Sequence, residues 1–152
     1  MERRKRIGLV AHDAKKADLL DWAAANREQL AAHELCATGT TGAMIADRLG
    51  LSVRRLKSGP LGGDQQMGAL IAEGRLDALI FFADPMSAMP HDVDVKALVR
   101  LSTVYNIVLA CNRTTADFVI ASPLFAATYV PTATDYAGYL ERVVPLPPAP
   151  PR

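Results

Sequence analysis

Cysteine and aromatic side chains are scarce in this chain: there are two cysteines and one tryptophan in 152 residues, and aromatics make up 6% of the composition. Cys36 and Cys111 stand far apart without a metal-type spacing, which argues against a disulfide scaffold or a cysteine metal cluster. Each lies in an apolar run and reads as a buried thiol. A surplus of one charge is missing too. Seventeen basic residues against sixteen acidic leave a formal charge of +1, so no overall field recruits nucleic acid or an anionic membrane, and any anion binding has to be local. No apolar run reaches membrane-spanning length. The basic start, Glu2-Arg3-Arg4-Lys5-Arg6, has the look of a signal-peptide n-region. The apolar stretch behind it, Ile7 to Ala11, is too short and stops at His12-Asp13, so the expectation is a cytoplasmic protein. Nucleotide signatures are absent as well: there is no G-x-x-x-x-G-K-[ST], and no G-x-G-x-x-G follows the first apolar run. A P-loop triphosphatase and a dinucleotide enzyme are both disfavoured.

What the chain does have is apolar residues, half of the total, in a length that suits one domain with a sizeable core. Short apolar runs alternate with helix-length patterns. Ile7–Ala11 precedes a helix over 15–32, and Glu34–Ala37 precedes one over 43–49. Residues 54–56 precede a helix over 64–73, Ala78–Phe82 one over 93–104, and 107–110 one over 115–121. That alternation predicts an α/β domain: a three-layer α/β/α sandwich around a five-stranded, mostly parallel sheet. Crossovers are right-handed and ligands of open sheets bind beyond the carboxyl ends of the strands, so all five strand-to-helix loops are expected on one edge. The domain is read over 1–142. Residues 143–152 hold five prolines, lack ladder donors and read as a polyproline-like or disordered tail.

Two glycine-hinged, hydroxyl-rich stretches fall on that edge: Thr38-Gly39-Thr40-Thr41-Gly42 and Ser58-Gly59-Pro60-Leu61-Gly62-Gly63, the second running into Asp64-Gln65-Gln66. Glycines let a backbone approach an anion closely, and N–H groups at a helix start face it with a favourable dipole. The hydroxyls serve equally well as helix and turn caps. Lys16, one turn past His12-Asp13, can reach the same anion or simply be solvated. A carboxylate at Asp64 would repel a phosphate unless it had another task, and proton abstraction is that task. His12 is balanced between a cap and a ligand contact, and His33 reads as surface. Asp84-Pro85 to Pro90-His91-Asp92-Val93-Asp94 places carboxylates around one imidazole. Asp92 and Asp94 are also candidate helix caps, and no ligand spacing supports a metal there.

The strings Val10-Ala11-His12-Asp13, Ala37-Thr38-Gly39-Thr40-Thr41-Gly42, Ser58 through Gln66, Phe81-Phe82-Ala83-Asp84-Pro85 and Pro90 through Leu98 resemble methylglyoxal synthase over roughly residues 6 to 140. The resemblance implies a cytoplasmic lyase of the glycolytic bypass that converts dihydroxyacetone phosphate to methylglyoxal and inorganic phosphate. No metal or organic cofactor is implied, and the assembly would be a homohexamer inhibited by phosphate. By position, Asp64 would be the catalytic base, His91 the proton relay and Asp94 a supporting carboxylate. Lys16, Thr38, Gly39, Thr40, Thr41, Ser58 and Gly59 would hold the phosphate. His12 would touch the substrate, with Asp13 and Asp84 in the carboxylate cluster. The C-terminus departs from the pattern: where the family has an arginine linked to phosphate contacts between subunits, this chain has Val143, preceded by Arg142. Two rivals stand beside this reading. One is a ligand-sensing regulatory domain, a member of the same fold family that does no chemistry; free-standing length and the joint presence of Asp64, His91 and Asp94 argue against it. The other is a generic sugar-phosphate isomerase, which its product would distinguish.

Overall fold

A computed structural model describes residues 1–86, 92–132 and 134–141. Five strands, β1 (Arg6–Ala11), β2 (Glu34–Ala37), β3 (Val53–Arg55), β4 (Ala78–Phe82) and β5 (Val108–Ala110), form one sheet in the order β3-β2-β1-β4-β5. Every pairing is parallel, with Leu9 of β1 in register between Ala37 of β2 and Ile80 of β4. The sheet is therefore parallel throughout rather than mostly so. Central β4, Ala-Leu-Ile-Phe-Phe, is buried at every position, as a strand covered on both faces requires. Edge strand β3 ends in exposed Arg54 and Arg55, charges that discourage further strand pairing.

Alternation along the strands sorts the core into two layers. Ile7, Leu9, Ala11, Ile80 and Phe82 pack with Leu19, Trp22 and Ile45 from helices α1 (Lys16–Ala25) and α3 (Gly39–Leu49), and with Ala116 from α6 (Arg113–Ala121). Val10, Leu79 and Phe81 face Met67, Leu70 and Ile71 of α4 (Gly63–Ala72) and Leu98 of α5 (Asp92–Val104). Gly8 makes that second layer possible, since a Cβ there would lie 2.7 Å from Met67 Sδ. On the first layer, Trp22 Nε1 donates to Asp117 Oδ1 at 2.9 Å and ties α1 to α6.

Three expectations needed correction. The helix expected over 15–32 is divided into a 3-10 turn at Asp13–Lys15, α1 and a short α2 (Arg27–Ala31). Asn26 sits at the break, where its Nδ2 donates to the Trp22 carbonyl; a side chain competing for the ladder acceptor is a recognised cause of such breaks. Helix α3 begins at Gly39 rather than near residue 43, so the stretch read as a glycine turn is the helix's own first turn. Two short helices, α7 (Pro123–Ala126) and α8 (Ala137–Leu140), carried no sequence signal strong enough to name. Smaller slips of one or two residues at strand and helix ends are ordinary. The boundary at 142/143 and the proline-rich tail lie outside the described residues. Among those described, no helix is long and apolar enough to cross a membrane.

Candidate active site

The chain runs from β1 outward to β2 and β3, then returns across the sheet to β4, so the topology reverses between β1 and β4. Loops at such a reversal splay apart and leave a crevice. A cavity of about 280 Å³ opens at this edge, lined by the loops after β1, β2 and β3 with Phe81 and Val95. Nine of the residues expected from sequence line it together: His12, Asp13, Lys16, Thr38, Thr40, Thr41, Ser58, Gly59 and Asp64. Val10, Ala11, Pro60, Phe81 and Val95 also line it and were not anticipated. Apolar wall residues carry no motif of their own, and only the register of β1 and β4 would have pointed to them.

The two loops are spliced through their backbones. Gly39 N–H donates to the Lys57 carbonyl at 3.0 Å, and a Cβ on Gly39 would sit 2.9 Å from Ser58 N. Gly39 thus lies behind the cavity wall and fixes the loop spacing. The second loop winds tightly. Leu61 and Gly63 N–H both donate to the Ser58 carbonyl, Gly62 adopts φ +97°, and a Cβ on Gly63 would fall 2.0 Å from the Lys57 carbonyl oxygen. No side chain other than hydrogen fits there. Gln66, part of the Ser58–Gln66 string but without a role assigned to it there, accepts the Lys57 N–H through Oε1 at 2.8 Å and anchors the loop to α4.

Thr38 precedes the first residue of α3 and Ser58 that of the 3-10 turn Gly59–Leu61, yet neither side chain caps its helix. Thr41 is buried in the first turn of α3, and its Oγ1 has no hydrogen-bond partner among the described residues. His12 Nε2 is in the same position. Its other nitrogen, Nδ1, accepts the Asp84 backbone N–H at 2.9 Å across the β1–β4 crevice. A neutral imidazole accepting at Nδ1 carries its proton on Nε2, so His12 is a donor into the cavity. Buried polar atoms left unpaired are rare and costly. Two of them in the wall of one cavity mark it as built for a polar guest.

The carboxylates divide by place. Asp64 is buried at the second position of α4, and its Oδ2 would lie 2.8 Å from a Cβ at Gly59, so that glycine makes room for the carboxylate. Asp13, largely exposed, pairs with Lys16 Nζ at 2.5 Å. Asp84 and Asp94 are not in that wall, although Asp94 lines an adjoining cavity together with Asp64. Asp84 Oδ1 accepts from the Met86 N–H, and the residue contributes to the site through its backbone. Asp94 is the third residue of α5 and not its cap; its Oδ1 accepts Gln65 Nε2 at 2.9 Å, next to Asp64 in sequence. His91 lies outside the described residues, as do 87–90 before it. No group of three or more His, Cys, Asp or Glu among the described residues is arranged to hold a metal. His33, read as surface, is half-buried: its Nδ1 accepts the Lys5 N–H and its ring meets Phe125 edge-on. Cys36 is buried, with burial pushing its thiol up to about 11, whereas Cys111 is half-buried. Neither is a poised nucleophile.

A family model described as MGS-like domain matches residues 18–111. Methylglyoxal synthase of Oleidesulfovibrio alaskensis is 54% identical over 144 residues, spanning 94% of this chain and 98% of that protein. The chain belongs to the methylglyoxal synthase family. Methylglyoxal synthase of Proteus mirabilis is 56% identical over 137 residues, 90% of each protein. The crystal structure of methylglyoxal synthase from Elizabethkingia anophelis superposes with a TM-score of 0.91 at 51% identity, covering 95% of both chains. Family membership thus extends over almost the whole described domain.

Proposed function

We propose that this protein is a methylglyoxal synthase that converts dihydroxyacetone phosphate to methylglyoxal and inorganic phosphate. The observation that carries the reading is the pair of buried atoms, His12 Nε2 and Thr41 Oγ1, without a partner among the described residues, in a cavity that also holds the buried carboxylate Asp64. The substrate phosphate binds Lys16, the hydroxyls of Thr38, Thr40, Thr41 and Ser58, and N–H groups at the start of α3. Asp64 removes a proton from C3, and the carbonyl becomes an enediolate whose oxygen accepts from His12 Nε2–H. The electron pair of the enediolate then expels phosphate from C1 by C–O cleavage. The enol left behind takes a proton at the former C1 carbon and becomes methylglyoxal. His91 relays the proton between the substrate oxygens, and Asp94, held by Gln65, supports the site; both roles rest on the family resemblance. No step calls on a cofactor. The proposed setting is a cytoplasmic homohexamer inhibited by its product phosphate.

Triosephosphate isomerase chemistry passes through the same enediolate but keeps the phosphate. Purified protein supplied with dihydroxyacetone phosphate should yield methylglyoxal, followed colorimetrically, with one inorganic phosphate released per turnover. Glyceraldehyde 3-phosphate as the sole product would replace this reading with an isomerase.

A further inference from the structure

A second cavity, of about 440 Å³ against about 280 Å³ for the first, lies at the opposite edge of the sheet, where β1, β2 and β3 begin. Five arginines line it: Arg4, Arg6, Arg27, Arg54 and Arg75. They come from four separate parts of the chain: the entry to β1, the start of α2, β3 and the turn after α4. Leu35, Leu51 and Leu76, all buried, supply an apolar floor, and Glu34 is the one carboxylate in the described wall.

Three of the guanidiniums have anionic company. Arg6 is held by buried Asp77 at 2.8 Å, whereas Arg4–Glu34 at 3.6 Å and Arg75–Glu73 at 3.0 Å join side chains more than half exposed. Exposed pairs of that kind hold weakly and exchange readily for a better anion. Arg27 donates from Nε to the Leu49 carbonyl at 2.7 Å, which orients the fork without neutralising it. Arg54, exposed on β3, has no carboxylate within ion-pair distance among the described residues. His33 in the wall senses the surplus: burial, then the charges of Lys5 and Arg4, keep its imidazole below the usual value. With Nδ1 taken by the Lys5 N–H, the neutral ring carries its proton on Nε2 and adds a donor.

We propose that this cavity is a second ligand site, for a small organic phosphate ester larger than the triose phosphate of the catalytic edge. Planar guanidinium forks suit the oxygens of a phosphate dianion, and Arg27 and Arg54 are the two left to engage it. The leucine floor takes the organic body, as in most small-molecule sites. The bound ester would lie at one end of β2 and β3, and the proposed phosphate loops at Thr38 and Ser58 follow the other.

Amide ¹H–¹⁵N spectra of the full chain, titrated with adenosine 5′-monophosphate as the probe and adenosine as its uncharged control, test the assignment. The nucleotide should shift the amides of Gly50, Ser52 and Arg54 saturably, and adenosine should leave them in place. Arg54→Glu, at an exposed position, should keep the parent spectrum and the parent turnover of dihydroxyacetone phosphate while weakening the nucleotide about ten- to a hundredfold, the worth of a charge-assisted contact. Arg27→Ala provides a second variant with an expected loss in the same direction. Shifts confined to Gly39, Thr41 and Gly59, or nucleotide affinity unchanged in both variants, would overturn the second site. The first of those outcomes would still leave the catalytic reading standing.

Discussion

Asp64 stands at the entry to α4 with its carboxylate buried against Gly59, in the wall of the cavity. As the base that takes the C3 proton, it should contribute roughly 10²–10⁴-fold to the rate. Asp64→Asn keeps the shape and one acceptor oxygen but cannot accept a proton from carbon. The variant should fold, bind phosphate at least as well as the parent, and lose both methylglyoxal formation and solvent-deuterium exchange at C3. Exchange at the parent rate would transfer the role to another carboxylate, Asp94 first. Lys16→Ala and Thr41→Ala remove donors to the same dianion and should each weaken substrate and inorganic phosphate together by about 1.5–3 kcal/mol. Competition assays with phosphate check this, and undiminished phosphate affinity in both variants would mean that no shared phosphate site exists. These residues were legible in the sequence because glycine, threonine and an acidic side chain recur at spacings that only close backbone approach explains. The arginine cavity was not legible, because its five cations are scattered over more than seventy positions and only the fold assembles them.

At the scale of elements, the alternation of apolar runs and helical patterns was enough to place the strands and crossover helices to within a few residues, since the inner strands of a parallel sheet are apolar along their length and the crossovers bury one face. What escaped were features set by tertiary contacts. The first turn of α3 is rich in glycine and β-branched residues and therefore reads as a loop, yet it is helical because Gly39 and Gly42 let α3 seat against Ser58 and Ala37. The turn between β3 and α4 makes the most stringent demand in the chain. A methyl group at position 63 would fall 2.0 Å from the Lys57 carbonyl oxygen, so Gly63→Ala forces the whole Lys57–Gly62 turn to move. The expected destabilisation is about 1–3 kcal/mol or more for an overpacked site, read from the urea midpoint. Activity should fall further than the fraction folded, since the same turn carries Ser58, Gly59 and Asp64. A fully folded Gly63→Ala protein with parent turnover would show that the loop geometry is not what positions the base.

Across the whole molecule, the amino terminus is clasped to the far ends of the strands. Lys5, fully buried, donates through Nζ to the Glu2 and Ala127 carbonyls, the latter at 2.6 Å, while its own carbonyl accepts from Glu34 N–H. One residue on, Asp77 accepts from the Arg6 backbone N–H at 2.8 Å and from Nε and Nη2 of the same guanidinium, and Asp77 N–H returns a bond to the Arg6 carbonyl. Burial alone would raise the Asp77 carboxyl, but the hydrogen bonds and charge of Arg6 outweigh it and hold the group below its ordinary value of 3.8. A depressed carboxylate adds stability that is fully present above its unfolded value and is lost as pH falls through the lower folded value. The clasp should therefore be intact at neutral pH and fail only below about 3.8. Asp77→Asn should cost about 1–3 kcal/mol at pH 7, where it leaves charge-assisted donors without their anion. That difference from the parent should shrink steadily as urea unfolding is repeated at lower pH, until protonated Asp77 and asparagine are nearly equivalent. A gap that stayed constant down to the acid limit would mean that Asp77 stabilises the fold by shape and packing, with no contribution from its charge.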